Sequence, residues 1–431
     1  MSTYAEMELE ELKKNLELEQ KRYDEIKLKG QVLNMSRGRP SKEQLDLTEG
    51  MLTIVSTNED CITEDGTDTR NYGVLAGIPE ARKLMGDMMG APADQTVVCG
   101  NASLAIMYDN VSRSITNGIC GSTPWKDLDE VIFLCPVPGY DRHFGVTESL
   151  GVKMINIPMK DDGPDMDMVE EYVNNNPAVK GIWCVPKYSN PQGIVYSHEV
   201  VKRFANLKPA APDFRIYWDN AYCIHIIEGE ETEEDDLLNI LDECEKAGNP
   251  DIVFMFASTS KVTYAGGGIA AFASSPANVA DYLGYLNFHT IGYDKVNMLR
   301  HVRFFKDLNG IKEHMKKHAA LMKPKFNIVD EILTKELGGL GISSYIVPRG
   351  GYFISFNSMN GCAKDIVALA KEAGLSTTGA GAAFPYHKDP DDSNIRIAPS
   401  LPTKEQLADA TVLFAVCVKI VSLKKLIAER S

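Results

Sequence analysis

Several short stretches place reactive or ligand-holding side chains directly after apolar runs. FMFASTSK ends in Ser258, Thr259, Ser260 and Lys261. A lone lysine is a surface residue by default. This one follows a buried-type run, has hydroxyls beside it and has no local anion. A partly desolvated lysine has a lowered pKa and acts as an amine nucleophile toward aldehydes. RIYWDNAY sets Asp219 and Asn220 at the end of another strongly apolar run, with Tyr222 three residues beyond Asp219. A carboxylate there is costly without a cationic or hydrogen-bonding partner, and a helix cap or an ion pair accounts for it as well as function does. TVVCGNAS supplies Gly100, Asn101 and Ser103 ahead of a helical pattern. A helix N-terminus with free N–H groups can hold phosphate, although the same residues make an ordinary strand–turn–helix cap. VPGYDRHF carries Tyr140 and Arg142, the tyrosine either packing or offering a ring face. KYSNPQG carries Asn190 inside an Asn-Pro turn signal.

Taken together, these groups are what pyridoxal 5′-phosphate requires. The lysine forms a Schiff base with its aldehyde, and the hydroxyls of Ser258 and Ser260 hold the phosphate. Tyr140 offers a ring-sized aromatic. Asp219 keeps the pyridine nitrogen protonated, so that the ring draws electrons from a substrate Cα. The glycines at 266–268 let the chain pass close to the cofactor or to a second subunit.

The elements that must position these residues are legible as a rhythm. TVVCG, EVIFLCP, VKMINIP, VKGIWCVP, FRIYWDN, DIVFMFAS and GIAAFASS are short apolar runs, several separated by helical patterns such as SLAIMYDNVSRSI and SHEVVKRFANL. Such alternation predicts a mostly parallel sheet buried on both faces, with ligands at the carboxyl ends of its strands. A helix is predicted over 5–29, stopped by Gly30, and LNMSRGRPS follows it as a loop. After about residue 324 the pattern changes to that of a smaller α+β unit. EGEETEEDD (228–236) reads as solvated surface.

Composition bounds the rest. At 431 residues, two domains are expected. The 44% hydrophobic and 24% charged content is that of an ordinary soluble protein. A net charge of −15 disfavours nucleic acid and anionic membranes as partners, so a site for an anionic substrate must build its own positive field. No apolar run is long enough for a membrane span, and the start lacks a signal-peptide pattern. Nine scattered cysteines without metal-type spacing read as free thiols in a reducing cytoplasm.

LNMSRGRPS, RNYGVLAGIPEAR, GNASLAIMYD, LCPVPGYDRHF, GIWCVPKYSNPQG, FRIYWDNAY, FASTSK, PRGGYFIS and NIRIAPS occur in this order from about residue 30 to the end. The ordered set resembles fold-type I, PLP-dependent class I aminotransferases, and among them the bacterial aspartate aminotransferases of subgroup Ic. The resemblance implies a three-layer α/β large domain (61–323) with a mostly parallel seven-stranded sheet. A smaller α+β domain would be formed by 1–60 and 324–431. It implies Lys261 as Schiff-base lysine and proton shuttle, Asp219 on the pyridine nitrogen, and Asn190 and Tyr222 on the ring's phenolic oxygen. Tyr140 would stack on the ring. Gly100, Asn101, Ser103, Ser258 and Ser260 would hold the phosphate, with Tyr72 reaching in from the other subunit of a homodimer. Arg396 would grip the substrate α-carboxylate, and Gly38 would line the pocket.

Two departures stand out. VTYAGGGIA lacks the phosphate-binding arginine that many relatives carry after the lysine. The arginine for a side-chain carboxylate is also not fixed: Arg142 is the candidate, with Arg37, Arg39 and Lys295 as rivals. The implied activity is ping-pong transfer of an amino group between L-aspartate and 2-oxoglutarate, both small-molecule substrates. The alternatives are another amino acid specificity (alanine or aromatic), a PLP β-lyase or decarboxylase, and a transcription regulator on the same scaffold. The acidic first 30 residues do not suit the DNA-binding module that a regulator needs.

Overall fold

The computed structural model describes residues 3–431; the first two residues of the 1–60 segment lie outside them. All seven apolar runs enter one sheet. Its strand order is Thr96–Val98, Ala270–Ala273, Val253–Ser258, Arg215–Asp219, Val179–Cys184, Ile132–Val137, Lys153–Lys160 and Gly163–Pro164. Ala270–Ala273 runs antiparallel to both neighbours, and the strands from Val253–Ser258 to Lys153–Lys160 are mutually parallel. The last strand, two residues long and antiparallel, adds an eighth to the seven expected.

Period-two alternation feeds both faces of this sheet. Ile216 and Trp218 pack into one apolar cluster while Tyr217 enters the opposite one, and Val253 and Met255 oppose Phe254 and Phe256 in the same way. Because the strands are parallel, Val137, Cys184, Asp219 and Ser258 end along one edge of the sheet. The segments that follow them carry Tyr140, Asn190, Tyr222 and Lys261.

A third cluster builds the smaller unit. It combines the N-terminal helix Leu9–Leu28, helices Ala363–Glu372 and Lys404–Ala428, and an antiparallel sheet of Ser343–Tyr345, Ile354–Ser358 and Asn394–Ile397. Glu336 ties its parts together, accepting from Arg22 Nη1 at 2.6 Å and from Lys419 Nζ at 2.7 Å. These cations hold its carboxyl down at about 2. One helix, Leu308–Leu337, runs straight through position 324 with Pro324 inside it. Its first half (Ile311, Met315) packs under the large sheet, and its second (Met322, Phe326, Val329, Leu333) packs in the smaller core.

The acidic stretch at 228–236 is not all solvated surface. Asp235 is buried, accepting from Tyr188 Oη at 2.9 Å and from Arg349 Nη2 at 3.0 Å. All nine cysteines are unpaired. Among the described residues no helix is long and apolar enough to cross a membrane.

Candidate active site

A cavity of about 710 Å³ opens between the sheet edge and the smaller unit. Tyr140, Asn190, Tyr222 and Lys261 line both it and an adjoining space of about 230 Å³, which Asp219, Ser103, Ser258 and Ser260 also line.

Asp219 is the last residue of its strand and is buried. Its Oδ2 lies 3.0 Å from His143 Nε2, while Oδ1 has no hydrogen-bond partner. A buried, unmatched carboxylate oxygen carries a desolvation cost that a cationic ligand atom would relieve. His143 was not anticipated from the sequence. It sits one helical turn from Tyr140, in the helix Asp141–Ser149. Its ring stacks on Trp183 at 4.5 Å between centroids and meets Tyr140 edge-on at 4.9 Å. The turn-length spacing in YDRH was the available signal.

Lys261 Nζ stands 5.0 Å from the centre of the Tyr222 ring and 5.7 Å from that of Tyr352. Burial lowers its pKa, nearby Asp219 opposes that shift, and Arg396 adds to it. Burial also pushes the Tyr222 hydroxyl far up, so it is protonated at neutral pH. Tyr352 Oη accepts from Gln44 Nε2 at 2.8 Å and donates to the Lys261 carbonyl at 3.4 Å. Its segment, PRGGYFIS, is part of the sequence resemblance, but nothing in the pattern gives the tyrosine a task.

The adjoining space has the features of an anion cradle. Ser258 Oγ donates to Ser260 Oγ at 3.0 Å, and Ser260 Oγ to the Asn101 carbonyl at 3.3 Å. Ala102 holds the cap position of the 15-residue helix Ser103–Asn117 and offers no side-chain cap. The first-turn N–H groups there keep their donor capacity. Among the described residues Lys261 is the one cation lining this space. Hydroxyls and helix N–H groups are among the other donors around this space. Of the three glycines, only Gly268 is sterically constrained: a Cβ there would lie 2.9 Å from Thr259 Oγ1. The unmatched Asp219 oxygen, the low-pKa amine and the uncapped helix all fit pyridoxal 5′-phosphate.

Arg396 lies on the strand Asn394–Ile397 and is buried. Its Nη1 donates to Asp141 Oδ1 at 2.8 Å and to Asn190 Oδ1 at 3.3 Å, and its Nε is unpartnered. The Phe353 ring lies 4.7 Å from its guanidinium carbon. A Cβ on Gly38 would fall 2.6 Å from Phe353 Cζ, so glycine is what lets this ring support the arginine. Arg37, Arg39 and Arg142 line the large cavity too, and none pairs with a carboxylate among the described residues. Two expected residues are elsewhere in the single chain. Tyr72 and Lys295 line a separate depression of about 570 Å³, where Tyr72 is 82% exposed and Lys295 Nζ donates to the Gly73 carbonyl at 3.1 Å.

The sequence pattern of the family described as aspartate amino-transferase matches residues 6–430. An aspartate aminotransferase of Corynebacterium glutamicum is 45% identical over 399 residues, covering 92% of this chain and 91% of that one. The crystal structure of an aspartate transaminase from the same organism superposes with a TM-score of 0.95 at 43% identity, covering 98% of this chain and 99% of that one. An α-aminoadipate aminotransferase from Thermus thermophilus, complexed with N-(5′-phosphopyridoxyl)-L-leucine, shares the fold. Its TM-score is 0.73 at 18% identity, over 92% of this chain and 93% of that one.

Proposed function

The chain belongs to the aspartate aminotransferase family and is a transaminase, and on that premise we propose that it exchanges the amino groups of L-aspartate and L-glutamate with their 2-oxo acids. The observation that carries this is the meeting, in one cavity, of a desolvated lysine with several arginines against a single carboxylate, Asp141. Such a field suits a substrate with two carboxylates.

The family implies pyridoxal 5′-phosphate, which when bound supplies an aldehyde that condenses with amines and a ring that withdraws electrons. Asp219 would face its ring nitrogen, with His143 fixing the carboxylate's orientation. Asn190 and Tyr222 would donate to its phenolic oxygen, and Tyr140 would cover one ring face. Gly100, Asn101, Ser103, Ser258 and Ser260 would hold its phosphate. Lys261 would anchor the aldehyde carbon and then work as the base. Burial lowers its pKa and so favours the neutral amine, which would take a proton from the substrate Cα and return it at the carbon that carried the cofactor's aldehyde. Arg396 would fix the α-carboxylate and Arg142 the side-chain carboxylate. Gly38 would keep the wall beside Arg396 thin. The same residues serve both half-reactions in turn, so kinetics are ping-pong.

The working unit in this proposal is a homodimer. Support comes from Tyr72, Phe288 and Ile291, which are 82%, 93% and 65% exposed. Tyr72 of the partner subunit would then complete the phosphate site. Unpaired thiols fit a cytoplasmic setting.

Spectroscopy of the purified protein tests the activity directly. The visible absorption of bound cofactor is expected to fade when L-aspartate is added and to return with 2-oxoglutarate. A spectrum indifferent to both, but responsive to alanine or an aromatic amino acid, would overturn the substrate assignment.

A further inference from the structure

Arg396 is committed before any substrate arrives. Its side chain is only 7% exposed, and both hydrogen bonds from Nη1 go to protein oxygens, those of Asp141 and Asn190. A buried guanidinium without a counter-ion is costly, and among the described residues Asp141 is the only acidic one lining the large cavity. We propose that Asp141 is the resident counter-ion of Arg396 and that an incoming substrate carboxylate must displace it. The proposal rests on the assignment of Arg396 as the α-carboxylate site.

Three features make Asp141 displaceable. Its carboxylate makes no other side-chain hydrogen bond among the described residues, and its side chain is 25% exposed, so it can return to water. It is the first residue of the helix Asp141–Ser149, where a negative charge is favoured with or without Arg396. Its neighbour Arg142 has no carboxylate partner of its own among the described residues. With both Nη1 hydrogens committed, to Asp141 and to Asn190, a carboxylate gains the end-on fork of Nη1 and Nη2 only when one of these bonds yields, and Asp141 is the partner that can return to water. Asp141 therefore stabilises the empty arginine and weakens, by one common factor, every ligand that uses it.

Succinate, an unreactive dicarboxylate, titrated into holoenzyme by calorimetry tests this. D141N and D141S are expected to bind succinate roughly fivefold more tightly, as expected when a partly exposed ion pair no longer has to be broken. D141E keeps the charge and is expected to bind as wild type does. The KM values for L-aspartate and L-alanine should fall by a common factor in D141N, because both carry the same α-carboxylate. Loss of a merely structural contact would weaken binding, not tighten it. Unchanged or weaker succinate binding in both D141N and D141S would overturn the proposal. The R396A variant separates the two levels. If it binds succinate as wild type does, the assignment of Arg396 itself fails. If it loses binding while the Asp141 variants do not tighten, only the counter-ion role fails.

Discussion

Asp219 and Arg396 present opposite residue-scale problems. Asp219 has one oxygen satisfied by His143 and one left unmatched, so it is poised to pair with a cation that the protein does not itself supply. Arg396 has a partner already. Strand ends were enough to single out Asp219 and Lys261 in the sequence, because a charged group directly after a buried run is chemically conspicuous. The Arg396–Asp141 pair was not legible, since its members lie 255 positions apart and no local pattern joins them. In the proposed reaction Arg142 is the candidate for reading the side-chain carboxylate. Replacing it with alanine is expected to lower kcat/KM for L-aspartate on the order of tenfold to a hundredfold, the cost of one charge-assisted contact, and to leave L-alanine far less affected. Steady-state kinetics with both substrates is the check. Equal losses would transfer the role to Arg37 or Arg39, which line the same cavity.

Among the elements, the helix Leu308–Leu337 is the least legible in the sequence. Proline is usually a breaker inside a helical pattern, and the change of pattern expected after about residue 324 falls inside this helix, at Pro324. Packing of one half against each core overrides that local cost. The seven strands were legible because each lies in a short, densely apolar run. The eighth, Gly163–Pro164, is two residues with no apolar signal. Asp235 hid inside an acidic run because its partners, Tyr188 and Arg349, come from distant segments. In the second half of the long helix Leu333 is fully buried. Leu333→Ala is expected to cost about 2–5 kcal/mol and to bring forward the first transition in a urea titration. Leu18→Ala, on an exposed position, should change stability by less than ~0.5 kcal/mol.

At the scale of the molecule, an overall charge of −15 surrounds a cavity rich in arginine. Substrate dianions therefore meet a repulsive exterior and an attractive interior. Completion of the phosphate site by a second copy carries its own expectation. Sedimentation should give twice the 47.5 kDa chain mass. Tyr72→Phe should weaken cofactor binding by about fivefold, corresponding to one lost hydrogen bond of ~1 kcal/mol. A monomer whose cofactor affinity ignores Tyr72→Phe would contradict shared sites. The smaller core, finally, joins the first helix to the last: Leu12 and Tyr23 share a cluster with Leu413 and Ile420, and Lys419 reaches Glu19 at 3.0 Å. A ribosome releases these partners in the order they are made. The opening helix must wait, its apolar stripe uncovered, until nearly the whole chain has been translated, which makes it the segment most dependent on a chaperone's shelter during synthesis.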